Sequence, residues 1–399
     1  MSDLTDKTLS VKELLQIQAC TGCRLCVGVC PAVSAAQDGR LSAAYRLDAA
    51  AGLVRRRHGL AARILGRRPI PPEEMQNFSG TVFRCTLCAN CQEVCPVGLR
   101  LKDLWCSLRR DLVLSGAGPA KIETIRDNLS ESRNVFGEDN EERAEWVENL
   151  REPPEHGYLK DEAEVVYFPG CVAAFYPLAQ NIPVALAEVL DRLEVDFTLL
   201  GQEEWCCGFP LLGAGLRDRL GEFIEHNIQA VRNKKARQVL FACPSCYQMW
   251  REHYPPEFKI SHATEFLTER FRQRPDLFQA RPLKVTYHDP CDLGRGAGVY
   301  DAPRTLIRLI PGVELVELPR NRQDCRCCGG GGNLEMIAPE LSAAITAEKI
   351  KEALSTGARA VVTSCQQCLR TMTTYVRRNE IDLEVLDVVQ LVQRALKPV

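Results

Sequence analysis

Glu164-Val165-Val166-Tyr167-Phe168-Pro169-Gly170-Cys171 and Lys284-Val285-Thr286-Tyr287-His288-Asp289-Pro290-Cys291 are two copies of one pattern: a short apolar run, a turn and a cysteine. Further landmarks repeat in step. Cys206-Cys207-Gly208 matches Cys327-Cys328-Gly329, and Val239-Leu240-Phe241-Ala242-Cys243-Pro244-Ser245-Cys246 matches Ala360-Val361-Val362-Thr363-Ser364-Cys365-Gln366-Gln367-Cys368. The offsets are 120, 121 and 122 residues, a drift small enough to mark an internal duplication. Between landmarks the apolar period changes from strand-like to helical. Leu216, Leu220, Phe223, Ile224, Ile228 and Val231 predict one helical face, as do Leu341, Ile345 and Leu354 in the second copy. Each copy therefore reads as an α/β unit with its cysteines on the loops that leave the carboxyl ends of the strands, where such folds place functional groups.

Upstream of the repeat lie Cys20-x2-Cys23-x2-Cys26-x3-Cys30-Pro31 and Cys85-x2-Cys88-x2-Cys91-x3-Cys95-Pro96. Both follow bacterial ferredoxin spacing: two-residue gaps let three thiolates converge on one cube from a single loop, while the fourth, before proline, reaches the other cluster. By that rule one cubane takes Cys20, Cys23, Cys26 and Cys95, and the other takes Cys85, Cys88, Cys91 and Cys30. Closed zinc sites also use Cys-x2-Cys pairs, but two complete copies with trailing proline favour clusters. The gap from Cys30 to Cys85 is longer than in a compact ferredoxin, which predicts helices around and between the motifs.

Each repeat carries five thiols: Cys171, Cys206, Cys207, Cys243 and Cys246, then Cys291, Cys327, Cys328, Cys365 and Cys368. Five exceed what one tetrahedral ion or simple cubane requires. Adjacent cysteines can bind two metals or let one sulfur bridge, which suits an asymmetric cluster. Gly208 and the run Gly329 to Gly332 fit two readings, a close approach of backbone to a cluster and a turn that starts a helix.

One cysteine, then an adjacent pair, then Cys-x2-Cys, duplicated and preceded by two ferredoxin motifs, resembles the D-subunit family of heterodisulfide reductase over nearly the whole chain. It also resembles the iron-sulfur subunits of glycolate oxidase and of anaerobic glycerol-3-phosphate dehydrogenase. The resemblance implies two cubane 4Fe-4S clusters on the eight ferredoxin-motif cysteines. It also implies a noncubane-type 4Fe-4S cluster in each five-cysteine (CCG) module, whose ten cysteines would be both ligands and the site of disulfide or thiol chemistry. The partners it implies are a flavoprotein subunit, a membrane b-type cytochrome or another quinone-reducing protein. A relay toward quinone from a flavin-dependent 2-hydroxyacid or glycerol-phosphate dehydrogenase, or from an electron-transfer flavoprotein, is the alternative role.

The expected architecture is α+β and multidomain: a helical ferredoxin-like domain over 1–112, a helical connector and linker over 113–162, and homologous α/β CCG domains over 163–281 and 282–399. A net charge of -2 argues against nucleic acid as the main partner. The longest charge-free run, Val165 to Ala187, contains Pro169, Pro177 and Pro183, so it reads as strand, loop and helix start rather than a membrane span. With an acidic start and no secretory or twin-arginine signal, the expectation is a cytoplasmic chain, docked through a partner if it meets the inner face of a membrane. Ser10-x-x-Glu13 predicts a capped helix start.

Cys106 reads as a buried small residue on a helix, and Cys325 as either structural or an alternate ligand or reactive thiol. His262 and His288 fit structural hydrogen bonding or proton donation near a cluster. The basic segment Arg55, Arg56, Arg57, His58, Arg63, Arg67 and Arg68 reads as a solvated helix face or as a docking surface for an acidic flavoprotein or anionic membrane. Gly294-x-Gly296-x-Gly298 and Gly213-x-Gly215 complete no dinucleotide or P-loop motif, so no internal flavin or NAD is expected.

Overall fold

The computed structural model describes residues 9–66, 69–155 and 157–398, and the chain divides into two compact units. Arg67, Arg68, His156 and the acidic start before residue 9 lie outside the described residues.

One unit is helical and draws on Met1–Arg126, Pro210–Asp218 and Gly329–Glu348. Its spine is the helix Leu101–Leu114, whose Leu101, Leu104, Trp105, Leu108 and Leu112 recur at three- and four-residue spacing and are all buried. The helix Pro72–Phe83 packs against it; Pro72 starts that helix, where the missing N–H costs nothing. The helix Ala43–His58 begins at Ser42, whose Oγ accepts from Tyr45 N at 3.2 Å. Val11–Gln18 opens with the reciprocal Ser10 and Glu13 capping box that the sequence predicts.

The other unit is α/β and draws on Asp127–Phe209, Arg219–Cys328 and Lys349–Val399. The first repeat supplies β1 (Val165–Phe168), β2 (Phe197–Thr198), β3 (Gln238–Phe241) and β4 (Lys259–His262) in the parallel order β2-β1-β3-β4. The second supplies β5 (Leu283–His288), β6 (Val313–Glu317), β7 (Ala360–Thr363) and β8 (Glu384–Asp387) in the matching order β6-β5-β7-β8. In both, strand order reverses between the first and third strands. Chain therefore leaves neighbouring strands toward opposite faces and opens a crevice at their carboxyl ends. Register aligns those ends: Phe168 lies opposite Phe241, and His288 opposite Thr363.

The repeats share one apolar core. Val165, Tyr167 and Leu240 belong to the same buried cluster as Val285, Tyr287 and Val362, and the helix Asn181–Arg192 of one repeat packs on Val388–Ala395 of the other. The charge-free run resolves into β1, the short helix Cys171–Phe175 and the start of Asn181–Arg192, as its prolines require. Two apolar assignments are corrected. Leu216 precedes the helix Leu220–Asn233, its N–H donating to Leu211 O to close the helix Phe209–Ala214. Leu354 is the last residue of Pro339–Leu354 and is exposed, because Ile350 and Ala353 take the inward positions of that turn.

Candidate iron-sulfur sites

In the helical unit the two ferredoxin loops fold alike, with Arg24 and Ala89 at corresponding places taking left-handed backbone at φ 60° and 61°. Two cavities lie among the thiols. Cys20, Cys23, Cys26 and Cys95, with Cys91, line one; Cys30, Cys85, Cys88 and Cys91 line the other, together with Arg46 and Trp105. The fourth cysteine of each motif thus reaches the cavity of the other motif. The cavities differ in setting: Cys20 and Cys23 are exposed, whereas Cys88 is buried. Burial pushes the Cys30 thiol up to about 11, against the pull of nearby Arg46. The twenty cysteines are thiols rather than disulfides, so the donor set fits thiolate-bound clusters, with assembly coupled to proton release.

The glycine run of the second repeat belongs to this unit. A Cβ on Gly331 would stand 2.4 Å from Thr86 O, and one on Gly332 (φ +62°) would stand 2.3 Å from Cys85 O. Only glycine allows that approach to the second ferredoxin loop.

In the α/β unit the first five thiols leave the ends of β1, β2 and β3, and all are buried. They form a continuous series of side-chain contacts, Cys171 to Cys206, Cys206 to Cys207, Cys207 to Cys246 and Cys246 to Cys243. Cys207 is the acidic member, because Cys206 and Cys246 both donate to its sulfur. Gly170, at φ +81°, makes the turn from β1; a Cβ there would come within 3.0 Å of Cys246 Sγ. Beside Cys171 lies a buried ion pair that sequence reading missed: Arg143 Nη1 donates to Glu204 Oε1 at 2.7 Å, and Arg143 Nη2 lies 3.6 Å from Cys171 Sγ. Burial raises the Glu204 carboxyl to about 7 even though Arg143 opposes it.

In the second repeat Cys327, Cys328, Cys365 and Cys368 are buried, Cys328 Sγ stands 3.2 Å from Cys368 Sγ, and Cys365 Sγ accepts from Cys368 N at 3.5 Å. Cys291 is half-buried at the end of β5, its Sγ 3.9 Å from Asp292 Oδ1. His288 has a ring nitrogen within 4.8 Å of the Cys328 and Cys368 sulfurs. Cys325 is buried, 3.5 Å from His288 Nδ1 and 3.6 Å from Lys349 Nζ. Burial alone would raise this thiol, but Lys349 and His288 outweigh it and hold Cys325 below the ordinary thiol value. His262 is structural instead: burial depresses it to about 3, and its Nδ1 caps the helix Ala263–Gln273 through Thr264. Cys106 sits on Leu101–Leu114 half-buried rather than buried.

Reciprocal hydrogen bonds join the two thiol sets. Gln366, inside the second Cys-x2-Cys, donates to Pro169 O at 2.7 Å and accepts from Ala173 N at 3.2 Å, on either side of Cys171. Ser245, inside the first, donates to Asp292 Oδ2 at 2.6 Å, next to Cys291. Each cysteine loop is thereby braced by its counterpart in the other repeat.

Comparison with known proteins agrees with this geometry. The cysteine-rich CCG domain family matches residues 165–251 and 285–373, and the 4Fe-4S dicluster domain family matches 16–99. The D subunit of the dihydromethanophenazine:CoB--CoM heterodisulfide reductase of Methanosarcina mazei is 35% identical over 98% of this chain and 96% of its own length. This chain belongs to the heterodisulfide reductase D-subunit family. Its counterpart in Methanosarcina barkeri is 34% identical over 98% of this chain and 96% of its own. The EtfAB:quinone oxidoreductase of Syntrophomonas wolfei is 27% identical over 97% of this chain and 59% of its own. Membership makes the heterodisulfide reductase D-type chain an iron-sulfur electron-transfer subunit of an oxidoreductase, with 4Fe-4S clusters as its cofactors. Among the described residues no helix is long and apolar enough to cross a membrane.

Some functional neighbours left a trace in the sequence. Lys349 follows Ile345 by four residues on the helix Pro339–Leu354, a lysine in an apolar stripe. Arg143 and Glu204 left none, since their pairing spans 61 residues.

Proposed function

We propose that this chain moves electrons between two cubane 4Fe-4S clusters, held by Cys20, Cys23, Cys26 and Cys95 and by Cys30, Cys85, Cys88 and Cys91, and two noncubane-type clusters held by the CCG cysteines. The chemistry served is the interconversion of a disulfide and two thiols. The observation that carries this reading is the unbroken series of five buried thiols from Cys171 to Cys243, more donors than one cubane uses. Iron-sulfur clusters supply one-electron steps, whereas a disulfide takes two electrons and two protons to become two thiols; paired sites suit that count. The protein's own part is to gather the thiolates, exclude water from them and brace the two loops through Gln366 and Ser245. Donor and acceptor are a flavoprotein or a membrane b-type cytochrome, with the chain on the cytoplasmic side.

Anaerobic purification with iron and sulfide analysis tests the cluster count, expected at about sixteen of each per chain for four 4Fe-4S clusters. EPR with and without added thiol tests the chemistry. A thiol-dependent paramagnetic signal that is lost in Cys207→Ala or Cys328→Ala is expected. Its absence in every redox state would leave a relay toward quinone, the reading favoured by similarity to the EtfAB:quinone oxidoreductase.

A further inference from the structure

Four arginines rank among the largest fully buried side chains: Arg46, Arg109, Arg143 and Arg304. Two of them hold carboxylates, Arg143 with Glu204 at 2.7 Å and Arg304 with Asp289 at 2.6 Å. The other two, both in the helical unit, meet no carboxylate among the described residues. Arg46 donates to Thr81 O at 2.8 Å and to Arg84 O at 3.3 Å. Arg109 donates to the carbonyls of Val82, Phe83, Cys85, Gly213 and Gly332, the last three at 2.7, 2.6 and 2.8 Å. Carbonyl dipoles solvate a guanidinium but do not neutralise it, and a buried charge without a counter-ion is costly.

The missing counter-charge has a place. Arg46 lines the cavity among Cys30, Cys85, Cys88 and Cys91, and Arg109 grips the carbonyl of Cys85. A cluster on four thiolates is an anion and becomes more negative on reduction. The other ferredoxin cavity has Arg24 as its charged lining residue, and Arg24 is exposed, where water and salt screen it.

We propose that Arg46 and Arg109 are the fixed counter-cations of the cluster at Cys30, Cys85, Cys88 and Cys91, and that they make it the more readily reduced of the two ferredoxin-type sites. The assignment rests on the ligand sets given under the proposed function. Fixed positive charge favours the reduced form, so an electron entering the helical unit settles at this site.

EPR-monitored redox titration of the full-length, cluster-loaded chain is the test, with Arg46→Gln as the main variant because Arg109 satisfies five carbonyls whose loss threatens folding. Removing one buried charge from the lining of that cavity should lower the reduced-to-oxidised ratio of one cluster at fixed potential about tenfold, ~59 mV for a one-electron couple. The second cluster should stay put, and Arg46→Lys should restore the parent value. Unshifted potentials with full iron, or equal shifts in both clusters, would overturn the proposal. So would loss of iron in Arg46→Gln and Arg46→Lys alike, which would make Arg46 a folding residue only. Cys88→Ala separates the underlying reading: if it keeps full iron and both signals, the ligand assignment itself is wrong.

Discussion

Arg143 and Glu204 offer the sharpest check on how the first thiol set is built. Their side chains are 2% and 1% exposed, and Glu204 Oε1 takes both Arg143 Nη1 at 2.7 Å and Gly170 N at 3.0 Å. Arg143→Met leaves the carboxyl buried with one backbone donor, and breaking a buried pair in this way costs about 3–5 kcal/mol. At a urea dependence of ~3 kcal/mol per M, the midpoint should fall by roughly 1–1.7 M. Tryptophan fluorescence reports it, since Trp146, Trp205 and Trp250 all lie in the α/β unit. The deficit has a defined pH dependence. Glu204 is already raised to about 7 by burial, and losing Arg143 raises it further, so the folded state holds a proton that the unfolded state lacks. Stability is then present at low pH and lost as pH rises, which makes the variant worse at pH 8 than at pH 6. Arg143→Met with Glu204→Leu replaces both charges by apolar groups and should return to within about 1 kcal/mol of the parent. A single variant that loses less than about 1 kcal/mol, or a double variant weaker than the single, would refute the pairing argument.

Gly332→Ala should cost about 1–2 kcal/mol for its left-handed backbone and also push on Cys85 O. Lower iron content with loss of one ferredoxin-type EPR signal is expected, and unchanged iron would reduce the glycine to a turn residue. Asp387 caps the helix Val388–Ala395 and is raised to about 7 by burial, against the help of the Val389 N–H. Its stabilising proton is lost as pH rises from about 4 to 7, by at most ~4 kcal/mol, so urea midpoints should decline over that window and level off above it. Asp387→Asn should flatten the decline; a parallel decline in the variant would assign the effect elsewhere.

Much of the fold was legible because duplication wrote it twice. The apolar runs at Val165, Val285, Val239 and Ala360 became β1, β5, β3 and β7, and the cysteines stand at their carboxyl ends. Strand order and register were not legible, because they depend on helix packing across a core that the two repeats share. The same limit hid the destination of Gly331 and Gly332: their need for φ and space was visible, but the opposing backbone, Cys85 to Thr86, lies some 245 residues away in sequence. Cys325 keeps both readings; its buried neighbours Lys349 and His288 stand 24 and 37 residues away in sequence, out of reach of a pattern read along the chain. The basic segment resolved unevenly. Arg56 pairs with Glu74 and Arg57 is buried, so it is not a uniform solvated face.

The duplication kept strands, turns and thiols but changed what stands against them. Phe168 ends β1 and packs on Phe241 and Trp250, whereas its counterpart His288 ends β5 and faces Cys325. The first repeat places an arginine-carboxylate pair at Cys171; the second places a pair of the same kind, Arg304 with Asp289, two residues before Cys291, and adds a buried lysine. Nearly the same cysteine spacing therefore sits beside aromatic rings at the end of β1 and beside a histidine, a further thiol and a buried lysine at the end of β5. Because hydrogen bonds and local charge set the potential and reactivity of thiolate-bound iron, two repeats with equal numbers of cysteines need not be equal in chemistry. The one-residue change from Phe168 to His288 is where that difference begins.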